Sequence, residues 1–316
     1  MSSAAKRPSA QGLFDAWVNS HPEDLSEHTM SVYNHAWTGY VKYLNANVTD
    51  WQQADTQAIN DYLASVAPMR KEVSAVSPVT QRRYWRILRD IYSYALIYEW
   101  VPKNPVLPAK RPHSEAMPSL ILPEWAVTAL IKQLAQECVI APATWQEQRD
   151  RAMLALMLCA APKTGELIAL QASDFKSAEQ GTQCSLTLAG PRQVQQRSVV
   201  LIGSACRELD LWLKARAAVE GLPETLFFSQ KRIRGTPLRC ALTHKTIYII
   251  TMAFLGRAFP AGTFEYGLYH QGAELIRNAV IANWLEDPLS GDIEKVMVRA
   301  GVKDRRTIER LDRKAA

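Results

Sequence analysis

No tyrosine follows Tyr269 in this 316-residue sequence, and no histidine follows His270. Any chemistry in the C-terminal part must therefore do without a phenol or an imidazole from that part. The five cysteines, at 138, 159, 184, 206 and 240, form no Cys-x-x-Cys pair. That spacing argues against a zinc ribbon or a disulfide frame and implies reduced, mostly buried thiols. The six histidines are scattered, so no metal site and no cofactor is expected. No apolar run approaches the ~20 residues of a membrane helix, and LALMLCAA at 154–161 is far too short. The polar opening MSSAAKRPSAQ lacks the apolar core of a signal peptide. It predicts a cytoplasmic, nucleoid-associated chain with no membrane contact. Neither an internal repeat nor a low-complexity tract is evident.

What is present is ordinary for a globular protein: 47% hydrophobic and 22% charged residues, over a length that suggests two domains. The net charge of +6 favours a polyanionic partner. Its distribution says more than its total. Residues 70–111 hold nine Lys/Arg against three acids, and the tail 303–314 holds six against three.

Apolar spacing predicts a mainly helical chain. Helices are expected at 13–21, at 26–47 with Ser26 as N-cap, at 55–67 and at 77–100. In the second of these Met30, Tyr33, Trp37, Tyr40 and Leu44 recur at three- and four-residue steps. In the fourth, Tyr84, Ile87, Leu88, Ile91 and Ala95 share a face, and Arg82, Arg83, Arg86 and Arg89 fall mostly on the other. Phosphate contact is the favoured use of that basic face, and plain solvation is the alternative. Trp17, Trp37, Trp51, Tyr84 and Trp100 are expected in the core rather than stacked on bases. Six prolines and the basic pair Lys110–Arg111 lie in 101–123, and since proline removes backbone donors this reads as an inter-domain linker. Beyond it, helices are expected at 123–137, 148–161, 204–219, 243–259, 272–286, 292–301 and 304–315. Strands at 185–190 and 197–202 are joined by PRQVQQ as a hairpin.

Several strings in order carry a resemblance. NP at 104–105 closes a helix of the YSYALIYEW type. RDRAMLALMLCAAPKTGELIALQASDF spans 149–175, the hairpin ends in QQRSVVLI, AELIRNAVIANWLE starts at 273, and VMVRAGVKDRRTIERL follows. Each alone is a weak match, but together they resemble the tyrosine recombinase (phage integrase) family over roughly residues 12–315. The resemblance implies a mainly α, two-domain fold: a helical core-binding domain at 12–101, a Pro-rich linker at 102–122, and a catalytic-type domain with a small β-hairpin or sheet at 123–316. In that family a tyrosine attacks a DNA phosphate. Two arginines clamp the non-bridging oxygens, and a hairpin lysine protonates the leaving oxygen.

Placed on the matching positions, the family's site looks eroded. The first arginine falls on Lys163, which keeps the charge and loses the fork. The hairpin lysine falls on Arg192, a poor general acid. The two histidines of the His-x-x-Arg-His box fall on Glu274 and Asn278, with Arg277 between them as the surviving second arginine. Ala300-Gly301-Val302 stands for Leu-Gly-His, and the nucleophile falls near Leu311. Because no tyrosine follows Arg277, every plausible register lacks the nucleophile. Thr307, the only hydroxyl of the last helix, is a poor substitute without an adjacent base, and a relocated nucleophile at Tyr266 or Tyr269 is disfavoured.

The expected function is therefore non-catalytic binding of double-stranded DNA, as a transcriptional repressor or as an accessory factor of a mobile element. Arg82, Arg83, Arg86, Arg89, Lys110, Arg111, Lys163, Arg192 and Arg277 are the expected DNA contacts, with no catalytic residue among them. A monomer, or a homodimer on DNA through another surface, is expected in place of a recombination tetramer. A diverged but active recombinase is the alternative function, and an interaction module that no longer binds DNA is a third. For single residues, Lys163 and Arg192 could be plain turn cations, and Arg277 could be an ion-pair partner of Glu274 or Glu166.

Overall fold

A computed structural model describes residues 7–21, 27–66, 77–113, 120–142, 144–177, 183–189, 196–219, 221–233, 236–260, 262–264, 272–288 and 291–313. The chain divides into two compact units, 1–117 and 118–316. Ser26, Arg192, Tyr266 and Tyr269 lie outside the described residues.

The first unit contains α1 (Ala10–Asn19), α2 (Glu27–Ala46), α3 (Thr56–Ser65) and α4 (Pro78–Ile97). Among the described residues, Ser9, Asp55 and Ser77 cap α1, α3 and α4, each accepting a first-turn backbone N–H, as an otherwise orphaned donor requires. Pro78 then opens α4, where its missing N–H costs no helical bond. Trp37, Tyr40 and Leu44 of α2 are fully buried against Ile87, Leu88, Ile91 and Tyr92 of α4 in one cluster. Burying each such side chain contributes roughly 1.5–3 kcal/mol.

Two of the large polar tips in this core are hydrogen-bonded to the main chain. Trp37 Nε1 donates to the Ala10 carbonyl at 2.9 Å, and Tyr92 Oη donates to that of Trp51 at 2.7 Å. The aromatics are core residues as expected, Trp17 and Trp51 being buried and Trp100 half-buried. Trp85 and Tyr92 join the α4 core face, whereas Tyr84 is only half-buried.

The stretch read as linker behaves differently in its first half. Val101, Asn104, Val106 and Ala109 are buried in the first unit. Asn104 Nδ2 donates to the Arg89 carbonyl (3.0 Å) and Ser93 Oγ (2.9 Å), and its Oδ1 accepts from the Val106 N–H at 2.9 Å. Proline content signalled the lack of helix correctly. It said nothing about whether the extended segment was packed.

The second unit holds α5 (Glu124–Val139), α6 (Trp145–Ala160), α7 (Thr164–Ala169), α8 (Ser204–Ala217), α9 (His244–Ala258), α10 (Ala273–Glu286), α11 (Ile293–Ala300) and α12 (Arg305–Glu309). An antiparallel sheet runs β1 (Phe175–Ser177), β2 (Gln183–Leu188), β3 (Arg197–Ile202), with Gln183 opposite Ile202 and Leu188 opposite Arg197. A separate hairpin pairs β4 (Phe228–Ile233) with β5 (Thr236–Ala241). The β2–β3 hairpin was expected; β1 and β4–β5 were not. The β4–β5 segment, FSQKRIRGTPLRCA, lacks clean alternation and carries a proline, and both weaken a strand signal.

Helices α6 and α10 are buried on nearly every side. At the end of α6, Ala161 takes the left-handed conformation at φ 45° and Pro162 follows, which ends the helix and turns the chain toward Lys163. α12 stops at Glu309, short of the expected 315, and Leu311 beyond it is buried in the core at 2% exposure.

Candidate nucleic-acid surface and the pocket around Arg277

On α4, Arg82, Arg86 and Arg89 recur at steps of four and three, which places them along one stripe. Arg83 and Arg86 are exposed, and Arg82 and Arg89 are half-buried. Arg89 donates from Nε and Nη2 to Asp90 Oδ1 at 2.9 and 2.7 Å. Its Cζ lies 5.5 Å from the centre of the Trp85 ring, and Arg111 Cζ lies 5.7 Å from the same ring. Lys110 is exposed while its N–H donates to Asn60 Oδ1 at 3.0 Å. The packed segment 101–111 therefore brings Arg111 to the α4 arginines within one unit.

In the second unit, residues read from separate strings converge. Lys163, Glu274, Arg277, Asn278, Val302, Thr307 and Leu311 line one open pocket of about 500 Å³. Thr164, His244, Ile281, Lys303 and Asp304 complete its wall. His244, the first residue of α9 after its cap Thr243, was missed in the sequence. Scattered histidines gave no pattern there, and only its place after a helix cap could have singled it out.

The geometry of this pocket is inward-facing. Arg277 is 4% exposed, and its guanidinium donates from Nη1 to the Ala161 carbonyl and from Nη2 to that of Ala300 at 2.8 Å. Burial lowers its pKa, opposed by the nearby Glu166 and Glu274 carboxylates. The ion-pair alternative for Arg277 gives way to main-chain acceptors, because Glu166 is engaged elsewhere. Its carboxylate takes the Arg197 guanidinium in a two-pronged pair, Oε2 accepting from Nη2 at 3.1 Å. Oε2 also accepts from the Lys163 backbone N–H at 2.6 Å. Lys163 Nζ points to the Gly301 carbonyl at 3.5 Å, and burial first, then Arg277, lowers its pKa. Asn278 Nδ2 donates weakly to the Leu120 carbonyl at 3.4 Å.

The remaining wall is apolar where the family resemblance would place an imidazole and a phenol. Val302 is 6% and Leu311 2% exposed, both within the main hydrophobic cluster together with Ile308. Thr307 is exposed and lines the same pocket as His244 and Glu274. Arg197, which sequence reading passed over, is the buried partner that fixes the turn carrying Lys163. The signal was an arginine at the first, inward-facing position of an apolar strand.

No family model matches the sequence, and no curated protein does. Solved structures do match along nearly the whole chain. The XerH site-specific recombinase in its post-cleavage complex with palindromic difH substrate gives a TM-score of 0.68 at 15% identity, covering 96% of this chain and 80% of that one. The Tn1549 transposon integrase in complex with transposon right-end DNA gives 0.65 at 10% identity, covering 96% and 94%. A lambda integrase dimer bound to a COC′ core site gives 0.62 at 15% identity, covering 95% and 76%. The chain thus has the mainly helical, small-sheet tyrosine-recombinase fold that its sequence led one to expect. Among the described residues no helix is long and apolar enough to cross a membrane.

Proposed function

We propose that this chain is a pseudo-recombinase: it binds double-stranded DNA site-specifically without breaking it, as a regulator or as an accessory factor of a mobile element. One observation carries the reading. Of the positions that the family resemblance picks out, Lys163, Glu274, Arg277, Asn278, Val302 and Leu311 line one pocket with no phenol among them, while Arg192 lies outside the described residues. Arg277, the one residue retained, is occupied by two carbonyls of its own chain. DNA affinity then falls to the exposed cations of the first unit, where Arg83, Arg86, Lys110 and Arg111 face solvent. A dimer on DNA, at the cytoplasmic nucleoid, is the form this function would take.

The second reading, an active recombinase, rests on Thr307 sharing the pocket with His244 and Glu274. Nicked suicide duplexes separate the two. The binding reading expects retarded complexes that dissociate fully in detergent. A detergent-stable protein–DNA adduct that disappears in Thr307→Ala would overturn it in favour of strand transfer. Absence of any complex at low salt would remove DNA from both readings.

A further inference from the structure

The arginine stripe of α4 has a buried indole in its midst. Trp85 is 7% exposed, and its Nε1 has no hydrogen-bond partner. A buried donor left without an acceptor is unusual and costly. Arg89 from the helix and Arg111 from the packed 101–111 segment both lie within cation–π range of the Trp85 ring. Asp90 takes Nε and Nη2 of Arg89 on a single oxygen, which leaves the Nη1 edge of that guanidinium outside the pair. Arg111 has no acidic partner among the described residues.

We propose that Trp85 is the platform of a phosphate-binding site, holding Arg89 and Arg111 as two prongs for the backbone phosphates of a DNA duplex. The proposal rests on the DNA-binding reading above and deepens it. A guanidinium held against an aromatic ring is already ordered, so less side-chain freedom is lost when it meets a phosphate. Among the described residues Arg111 meets no acid that would compete for its N–H groups, and Arg89 keeps the Nη1 side that Asp90 leaves open, for the contacts that phosphate oxygens accept. The stripe from Arg82 to Arg89 is about 10 Å of helix, which matches roughly three phosphate steps at ~3.4 Å of axis each. Asp90 is a built-in competitor of the site, since it holds the inner nitrogens of Arg89.

The test is the salt dependence of duplex binding by the full chain. Arg89→Ala and Arg111→Ala should each lower the slope of log affinity against log salt by about 0.9, and the double variant by about twice that. Trp85→Leu should lose nearly as much slope as the double variant, Trp85→Phe should recover most of it, and Asp90→Asn should bind more tightly than wild type. Arg111 is exposed, so its variant carries the test even if Trp85→Leu fails to fold. If wild type binds and Arg111→Ala keeps the full slope, the platform is wrong while DNA binding stands. If a folded Trp85→Leu protein keeps the wild-type slope, the same holds. If wild type binds no duplex at low salt, both fall together.

Discussion

Arg277 and Ala300 are joined by a 2.8 Å hydrogen bond from Nη2 to the main-chain oxygen, and the same guanidinium donates through Nη1 to Ala161. One side chain of α10 thus ties the end of α6 to the end of α11. Both acceptors are carbonyls of the kind a helix leaves unpaired at its C-terminus. A cation there also complements the negative end of each helix. In the family resembled, this residue grips a phosphate; in this chain the two helix ends occupy it.

Arg277→Met should therefore destabilise the fold and leave DNA affinity nearly unchanged. Two buried carbonyls lose their donors, at about 1–3 kcal/mol each, so urea unfolding should shift by roughly 2–5 kcal/mol after partial relaxation. A folded variant whose duplex affinity drops tenfold with unchanged stability would return Arg277 to the DNA interface.

Glu166 and Arg197 form a buried pair with side chains 1% and 5% exposed. Removing one partner of such a pair costs about 3–5 kcal/mol because the other charge stays buried. Glu166→Gln should cost less than Glu166→Ala, since the amide can still accept from the Lys163 N–H. Replacing both residues together, Glu166→Leu with Arg197→Met, should recover much of the loss. A double variant as unstable as the sum of the singles would show that the pair is uncoupled.

How much of this was legible beforehand differs by element. Long amphipathic helices declared themselves, because burial repeats at three and four residues and caps such as Asp55 and Ser77 mark their starts. The register of the second-unit pocket was legible too. Lys163, Arg277 and Leu311, read from three separate strings, line one wall. What could not be read was the direction of each charge. Nothing local in AELIRNAV tells that Arg277 faces two carbonyls supplied by residues 116 and 23 positions away. Likewise Arg111 looked like part of a linker, and its place beside Trp85 depends on Asn104 pinning the segment to α4.

Arg82, Arg83 and Arg86 should act additively on DNA affinity through charge. Replacing all three with Ala should reduce the salt slope by about 2.7, at ~0.9 for each phosphate no longer neutralised. Thermal stability should change little on replacing the exposed Arg83 and Arg86, as exposed substitutions away from caps and core are usually within about 0.5 kcal/mol. Gel shifts across a salt series decide it, and an unchanged slope would exclude Arg82, Arg83 and Arg86 from the interface.

Gly301 ends α11 in the left-handed region at φ +62°, and a Cβ there would meet the Arg197 guanidinium. Gly301→Ala should lose roughly 1–2 kcal/mol to backbone conformation and more from displacing Arg197. Gly301→Ala in an Arg197→Met background should be milder. Equal losses in both backgrounds, measured by denaturant midpoint, would mean that the steric clash contributes nothing.

Lys163 offers the opposite expectation from Arg277, although both were read as phosphate-clamp positions. Burial, then Arg277, lowers its pKa from the ordinary 10.5. Between its folded value and 10.5 the unfolded chain holds more protons on this residue than the folded one, so stability rises with pH through that interval. Below the interval the charge is carried at a cost. Lys163→Met should therefore be no less stable than wild type at neutral pH, and should lose this rise as alkaline pH is approached. Urea midpoints of the two proteins along a pH series test the point. A variant that is destabilised at neutral pH and keeps the same rise would mean that the Lys163 amine is held favourably by the Gly301 carbonyl.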